Sequence, residues 1–332
     1  MIKKAFFRFE ASPSIGAGHA IRSCVIGDAL VEEGWTCNLV TSEDSYDFIP
    51  GLQRFDRVDP EDFYDEPAPH DLLVVDHYDL DITYEQYFRP YADKIMVIDD
   101  MANRQHDCDI LLDQTYGREA TDYKDLVPES CKILTGSDYA LLRKEFIELR
   151  PKALQKRREK KEIKCILVSM GGSASQNHTL QALEMIKEAG FKGKIDIVLG
   201  FKEKSKTAIL DFLKSMPNLY RVHINPNMVQ LMYEADLAIG AAGSSVWERC
   251  CLGLVTGMVI LSENQVLIAS KLHNANVAIN LGKIDSINTA AAGIQIKNMV
   301  NSTETIKKLG INSSRICDGL GINRVKKELH VH

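Results

Sequence analysis

Short apolar runs alternate along the chain with amphipathic stretches, and the runs themselves carry no polar face. This pattern predicts strands at residues 5–9, 39–40, 72–75 and 95–98 in the first half. In the second half it predicts strands at 165–168, 195–199, 237–239 and 255–261, with weaker candidates at 221–224 and 275–281. Helices are predicted at about 20–33, stopping at Gly34, in a stretch ending near Tyr91, and at 177–189. Strands apolar on both sides belong to a parallel sheet covered by helices on both faces. Both halves open alike, with a strand, a glycine turn and a helix, and no repeat of fixed period is present. The fold class is therefore α/β, as two doubly wound Rossmann-like domains expected to face a cleft.

Residues 150–164 break the pattern with eight Lys or Arg, two Glu and few apolar side chains. Such a run reads as a solvated, charged linker. It sets the domains at 1–152 and 163–332, with the linker at 150–164.

A length of 332 residues fits two domains at the usual ~100–200 residues each. With 40 basic and 46 acidic residues the net charge is −6, which argues against a nucleic-acid partner. The apolar run 255–261 is far shorter than the ~20 residues of a membrane helix, so no membrane span is expected. Met1-Ile-Lys-Lys leads straight into strand-like sequence without a signal-peptide core, and a cytoplasmic location is expected. The 8 cysteines lack zinc-site spacing and read as reduced, buried thiols. No metal and no cofactor are expected.

Several strand ends carry side chains suited to chemistry. After the first comes Ile15-Gly-Ala-Gly-His19, where Gly16 and Gly18 allow close backbone approach ahead of a helix. The third glycine of a dinucleotide fingerprint is missing, and Arg22 stands near its place. His19 reads either as a structural histidine or as a proton acceptor facing the strand-end crevice. Asp76-His77-Tyr78 ends another strand and is either a polar relay or a helix cap with two packed rings. Asp99 and Asp100 follow the next and read as structural or hydroxyl-binding, because neighbours on an extended chain point apart.

In the second half, Met170-Gly-Gly-Ser173 and Gly240-Ala-Ala-Gly-Ser-Ser245 both lie between a strand and a helix. The backbone N–H groups of such loops cradle phosphate, so Gly171, Gly172, Ser173, Gly243, Ser244 and Ser245 are candidate ligands of a phosphorylated molecule. Glu248 is either a first-turn acid or a group for paired ribose hydroxyls. Asn264 and Gln265, ending the following strand, read as a cap or as substrate contacts.

These segments together resemble the UDP-sugar hydrolases of pseudaminic acid biosynthesis. The resemblance is carried by residues 9–22, Val75-Asp-His-Tyr78, Ile98-Asp-Asp-Met-Ala-Asn-Arg104, residues 106–113, Tyr139-Ala-Leu-Leu-Arg143, Gly171-Gly172, Gly243-Ser-Ser-Val-Trp-Glu-Arg249 and Glu263-Asn-Gln265. It covers about residues 5–265; beyond Ile284 no motif contributes. Two positions depart from the family pattern, Glu10 for aspartate and Val255 for proline.

The resemblance implies a glycosyltransferase B fold. It also implies metal-free hydrolysis of UDP-2,4-diacetamido-2,4,6-trideoxy-β-L-altropyranose, with water attacking the anomeric carbon and inverting it. His19 would be the general base and Tyr78 a catalytic neighbour of the sugar. Gly16, Gly18, Arg22, Asp76, Asn264 and Gln265 would line the substrate. The two glycine loops would hold the diphosphate and Glu248 the ribose. Competing readings are an inverting glycosyltransferase of the same fold and a non-catalytic sugar-nucleotide binder.

Overall fold

The computed structural model describes residues 2–172, 174–200, 207–217 and 219–330. The chain divides into two compact units, Met1–Leu142 with Leu320–His332, and Arg143–Gly319.

The first unit is built on a seven-stranded parallel sheet. Its strands are β1 (Lys4–Phe9), β2 (Thr36–Val40), β3 (Asp56–Val58), β4 (Leu72–Asp76), β5 (Ile95–Ile98), β6 (Ile110–Asp113) and β7 (Lys132–Thr135). Their order is β3-β2-β1-β4-β5-β6-β7. The chain thus runs outward from β1 and then crosses back to lay β4 on its other side. The carboxyl ends of β1 and β4 flank the point where the winding reverses, the place where such sheets open a crevice. In the register, Phe9 at the end of β1 lies opposite Asp76 at the end of β4. Alternate residues of the central strands feed cores on opposite faces. Val74, Met96 and Ile98 pack with Phe7, Phe9 and Leu112, while Leu73, Val75, Ile95 and Val97 pack with Phe63, Phe88 and Leu111. This is why these strands read as unbroken apolar runs.

The second unit holds β8 (Cys165–Ser169), β9 (Lys194–Leu199), β10 (Tyr220–Ile224), β11 (Leu237–Ala241), β12 (Thr256–Ile260) and β13 (Ile279–Lys283). Their order is β10-β9-β8-β11-β12-β13, again all parallel and again reversing at the centre, between β8 and β11.

Two boundaries differ from the sequence expectation. Most of the basic run is not a linker but part of the helix Lys144–Glu159, which belongs to the second unit. Its cations serve carbonyls at helix ends. Arg150 donates to the carbonyls of Cys251, Cys317 (3.1 Å) and Ser314 (2.7 Å). Lys156 reaches those of Tyr233 (2.7 Å) and Glu234 (2.8 Å), and Arg157 those of Ala235 and Met232 (2.7 Å). The last carbonyls of a helix have no partner of their own and carry its negative dipole end, so cations settle there.

The second difference is at the end of the chain. The helix Gly321–His330 packs on the first unit, with Ile322, Val325 and Leu329 in its core. Arg324 donates to the Asp138 carbonyl at 2.8 Å, and Lys326 pairs with Glu33 at 2.8 Å.

Gly321 is where this helix touches the segment Ser137–Tyr139 and Ala140 most closely. A Cβ there would stand 2.6 Å from the carbonyl carbon of Tyr139 and 2.7 Å from the Ala140 nitrogen. Gly321→Ala should therefore unseat the last helix and lower the unfolding free energy by about 2 kcal/mol. Denaturant titration checks this; wild-type stability in the variant would show that the close approach does not constrain the fold.

Candidate active site

The loop after β1 turns on itself through Gly16. Its φ of 91° is open to glycine, and its N–H donates to the Ser12 carbonyl at 2.7 Å. The helix Gly18–Val31 follows at once, placing His19 and Arg22 one turn apart on its buried side. Both reach Asp76, which is fully buried at the end of β4.

His19 Nδ1 lies 2.6 Å from Asp76 Oδ1. Arg22 grips the same carboxylate with two donors, Nε to Oδ2 at 2.6 Å and Nη2 to Oδ1 at 2.5 Å. Burial alone would push the Asp76 carboxyl up. The Arg22 guanidinium and His19 outweigh it and hold the group well below the usual carboxylate range. Arg22 is buried too, and Asp76 and Asp100 overcome that burial and raise its pKa well above the ordinary arginine value.

These partners fix the imidazole tautomer. An ionised carboxylate only accepts and a guanidinium only donates, so in the neutral ring the proton sits on Nδ1 and is donated to Asp76. The 3.2 Å approach of Arg22 Nη2 to Nδ1 then joins two N–H groups and is not a hydrogen bond. No hydrogen bond among the described residues engages His19 Nε2. Its lone pair is left to take a proton.

Tyr78 sets its ring edge-on to His19, with centroids 4.6 Å apart and planes at 84°. Its hydroxyl donates to Asp100 Oδ2 at 3.2 Å, and Arg22 Nη1 reaches the same oxygen at 3.3 Å. Burial and the Asp100 charge push the phenol pKa up, so Tyr78 stays a neutral donor. His19, Arg22, Asp76, Tyr78 and Asp100 thus form one network across the ends of β1, β4 and β5. The loop itself contributes Gly16 and Gly18.

Other candidates fall outside this network. His77 accepts from the Asp79 N–H at 3.0 Å, and the cap of the next helix, Ile82–Phe88, is Asp81. Asp99 has a structural role, accepting from the Ala102 N–H at 2.7 Å and the Tyr123 hydroxyl at 2.9 Å. Glu10 is taken up by the loop after β2, accepting from Arg8 (2.7 Å), Ser42 Oγ (2.6 Å) and Ser45 Oγ (2.5 Å). Burial opposes its charge, yet these donors win and its pKa falls.

In the second unit the candidates gather at the ends of three neighbouring strands. Gly171 (φ 88°) and Gly172 follow β8, while Ser173 lies outside the described residues. Gly243, Ser244 and Ser245 follow β11 and lead into the helix Ser245–Cys251. Asn264 and Gln265 follow β12. Ser262 Oγ donates to Asn264 Oδ1 at 2.6 Å, and Gln265 Oε1 accepts from the Leu261 N–H at 2.9 Å. A Cβ on Gly243 would stand 3.5 Å from Gln265 Nε2, so the last two loops meet.

Glu248 is nearly enclosed. Burial raises its pKa, and its one ion pair among the described residues is with Arg143 Nη2, at 3.4 Å. Among the described residues no group of three or more His, Cys, Asp or Glu is arranged to hold a metal ion, and no helix is long and apolar enough to cross a membrane.

The depressed Asp76 pKa has a consequence for acid stability. Its stabilisation is fully present above the unfolded carboxylate value of about 3.9 and is lost as pH falls through the folded value. Asp76→Asn leaves the buried Arg22 guanidinium with Asp100, at 3.3 Å, as its remaining counter-charge and should lower stability at pH 7 by about 3 kcal/mol. The variant should also lose less further stability below about pH 4 than wild type does. Unfolding titrations across pH measure both; equal acid sensitivity in the two proteins would contradict the assignment.

No family profile matches the chain. It is 27% identical over 275 residues to the UDP-2,4-diacetamido-2,4,6-trideoxy-beta-L-altropyranose hydrolase of Campylobacter jejuni, an alignment covering 81% of this chain and 96% of that protein. Among solved structures, MurG of Acinetobacter baumannii superposes with a TM-score of 0.70 at 12% identity, over 98% of this chain and 99% of that one. Arabidopsis thaliana UGT89C1 complexed with UDP gives 0.66 at 9% identity, over 99% and 100%. The chain therefore has the glycosyltransferase B fold and, over most of its length, resembles in sequence the Campylobacter UDP-sugar hydrolase.

Proposed function

We propose that the protein hydrolyses UDP-2,4-diacetamido-2,4,6-trideoxy-β-L-altropyranose to the free sugar and UDP in the cytoplasm, as a step of nonulosonic acid biosynthesis. The observation that carries this reading is the His19–Asp76 pair, with Nε2 left open, in a chain aligned with a UDP-sugar hydrolase along 96% of that relative.

In this reading His19 Nε2 takes a proton from a water molecule as its oxygen attacks the anomeric carbon. The bond from that carbon to the phosphate oxygen breaks, and the electron pair leaves with UDP. Attack opposite the leaving group inverts the anomeric centre. Asp76 and Arg22, assigned to the substrate on sequence alone, act instead through His19. Asp76 holds the ring in its tautomer, and Arg22 keeps Asp76 ionised.

Tyr78 offers a neutral hydroxyl beside the imidazole. Gly171, Gly172, Ser173, Gly243, Ser244 and Ser245 supply backbone and hydroxyl donors for the diphosphate, stabilising the charge that develops as UDP departs. Glu248 takes the ribose, and Asn264 and Gln265 contact the sugar or its acetamido groups. No cofactor or metal is assigned a part.

A second reading, an inverting glycosyltransferase that passes the sugar to another acceptor, is supported by the likeness to MurG. Product analysis separates the two. Incubation with the diacetamido UDP-sugar, followed by NMR, should give free sugar of inverted configuration and UDP, with or without an acceptor and with EDTA present. His19→Ala should slow this by about 10²–10⁴ while leaving UDP affinity nearly unchanged. Release that requires an acceptor would favour the transferase.

The pH profile adds an independent check. An acid limb of kcat/KM that depends on the proposed base should disappear in His19→Ala. A limb that persists in the variant would remove His19 from the role of base.

A further inference from the structure

Arg249 is one of the largest fully buried side chains in the protein, and its surroundings do not match its charge. Arg22, likewise enclosed, is paired with Asp76 and Asp100, and Arg157, whose Nε is also without a partner among the described residues, is set at the carbonyl end of the helix Met228–Glu234. Arg249 has no carboxylate within ion-pair distance among the described residues. Glu248, its chain neighbour, pairs with Arg143 instead. Nη2 donates to the Ala241 carbonyl at 2.6 Å and Nη1 to Ser245 Oγ at 3.3 Å, while Nε is buried with no partner among the described residues. Burial lowers its pKa to about 10, with Cys250 and Glu248 only partly opposing. A guanidinium enclosed in this way is destabilising unless an anion compensates it.

The chain makes room for this cation at one place. A Cβ on Gly240 would stand 2.7 Å from Arg249 Nη1 and 2.5 Å from the Ser169 carbonyl. The glycine that lets β11 lie against β8 therefore also admits the guanidinium beneath the turn 240–245. Its two bonded partners are the first and last parts of that turn, Ala241 and Ser245.

We propose that Arg249 is a positioning residue for the ligand's diphosphate, setting a permanent positive charge beneath the turn 240–245 and acting through Ser245 and the turn's amides. The inference rests on the reading that this turn holds a nucleoside diphosphate. It assigns the buried cation a counter-charge that arrives with the substrate. The same charge favours departure of UDP, because negative charge on the diphosphate grows as the anomeric bond breaks.

The test compares a charged with an uncharged ligand. Calorimetric titration of uridine, UMP and UDP into the wild-type protein should show affinity rising from uridine to UDP. Arg249→Gln keeps a donor for the Ala241 carbonyl and removes the charge. It should reduce the UDP-to-uridine affinity ratio about tenfold or more while the uridine Kd stays within about twofold. Arg249→Lys keeps the charge and should hold the ratio within about threefold of wild type.

A merely structural tie between Ala241 and Ser245 would lower the melting temperature of Arg249→Gln without changing the ratio, and that result would overturn the proposal. If Arg249→Gln does not fold, Arg249→Lys decides: a fall of about tenfold or more in its ratio counts against the proposal, and a retained ratio supports it. A wild-type protein that binds UDP no better than uridine would overturn the nucleoside diphosphate reading itself, and this inference with it.

Discussion

A carboxylate shut away from water at the end of a central strand is the constraint on which the first unit's candidate site depends. Asp76 cannot remain ionised in that position unless cations and N–H donors replace its hydration. Arg22 supplies the fork, and His19 supplies the remaining donor. From that requirement follow the imidazole's tautomer, the direction of its free nitrogen and the need for both side chains on one helix face. The strand order serves the same end. Only because β4 crosses back beside β1 does the Asp76 carboxylate meet the helix that β1 introduces.

The same accounting of buried charge runs through the rest of the molecule. Glu10 is solvated by hydroxyls and Arg8, while Arg150, Lys156 and Arg157 are solvated by helix-end carbonyls. On β9, Asp196 gathers Lys194 at 2.7 Å, Arg221 at 2.8 Å and His223 at 2.9 Å. Each of these groups is matched within its own unit. Arg249 is the contrast, a fully buried guanidinium bonded among the described residues to one strand-end carbonyl and one hydroxyl, and it lies beneath the turn whose composition suggests phosphate.

Much of this was legible in the sequence. The unbroken apolar runs at 72–75, 95–98, 165–168 and 237–239 are central parallel strands, and the glycine turns sit where strand gives way to helix. That pattern puts His19, Asp76 and Tyr78 just beyond strand ends. Their partnership was not legible, because 57 residues separate His19 from Asp76 and only strand order brings them together. The short run Ile110-Leu-Leu112, absent from the predicted strands, belongs to β6, and its unbroken apolar character is a usable signal. Composition misled at 150–164. A solvated linker and a helix whose cations cap carbonyls have the same residues, and the difference lies in what the side chains reach. Similarly, Ile322, Val325 and Leu329 mark an amphipathic helix without saying which core receives it.

The claim that Asp76 sets the histidine for catalysis is tested most directly by nitrogen-15 NMR of the histidine side chains, with His19 assigned by comparison with His19→Ala. At a pH where the ring is neutral, the account predicts a protonated Nδ1 and an unprotonated, pyridine-like Nε2. It also predicts that this preference collapses in Asp76→Asn. A His19 protonated on Nε2, or an equal mixture of tautomers in the wild-type protein, would contradict it.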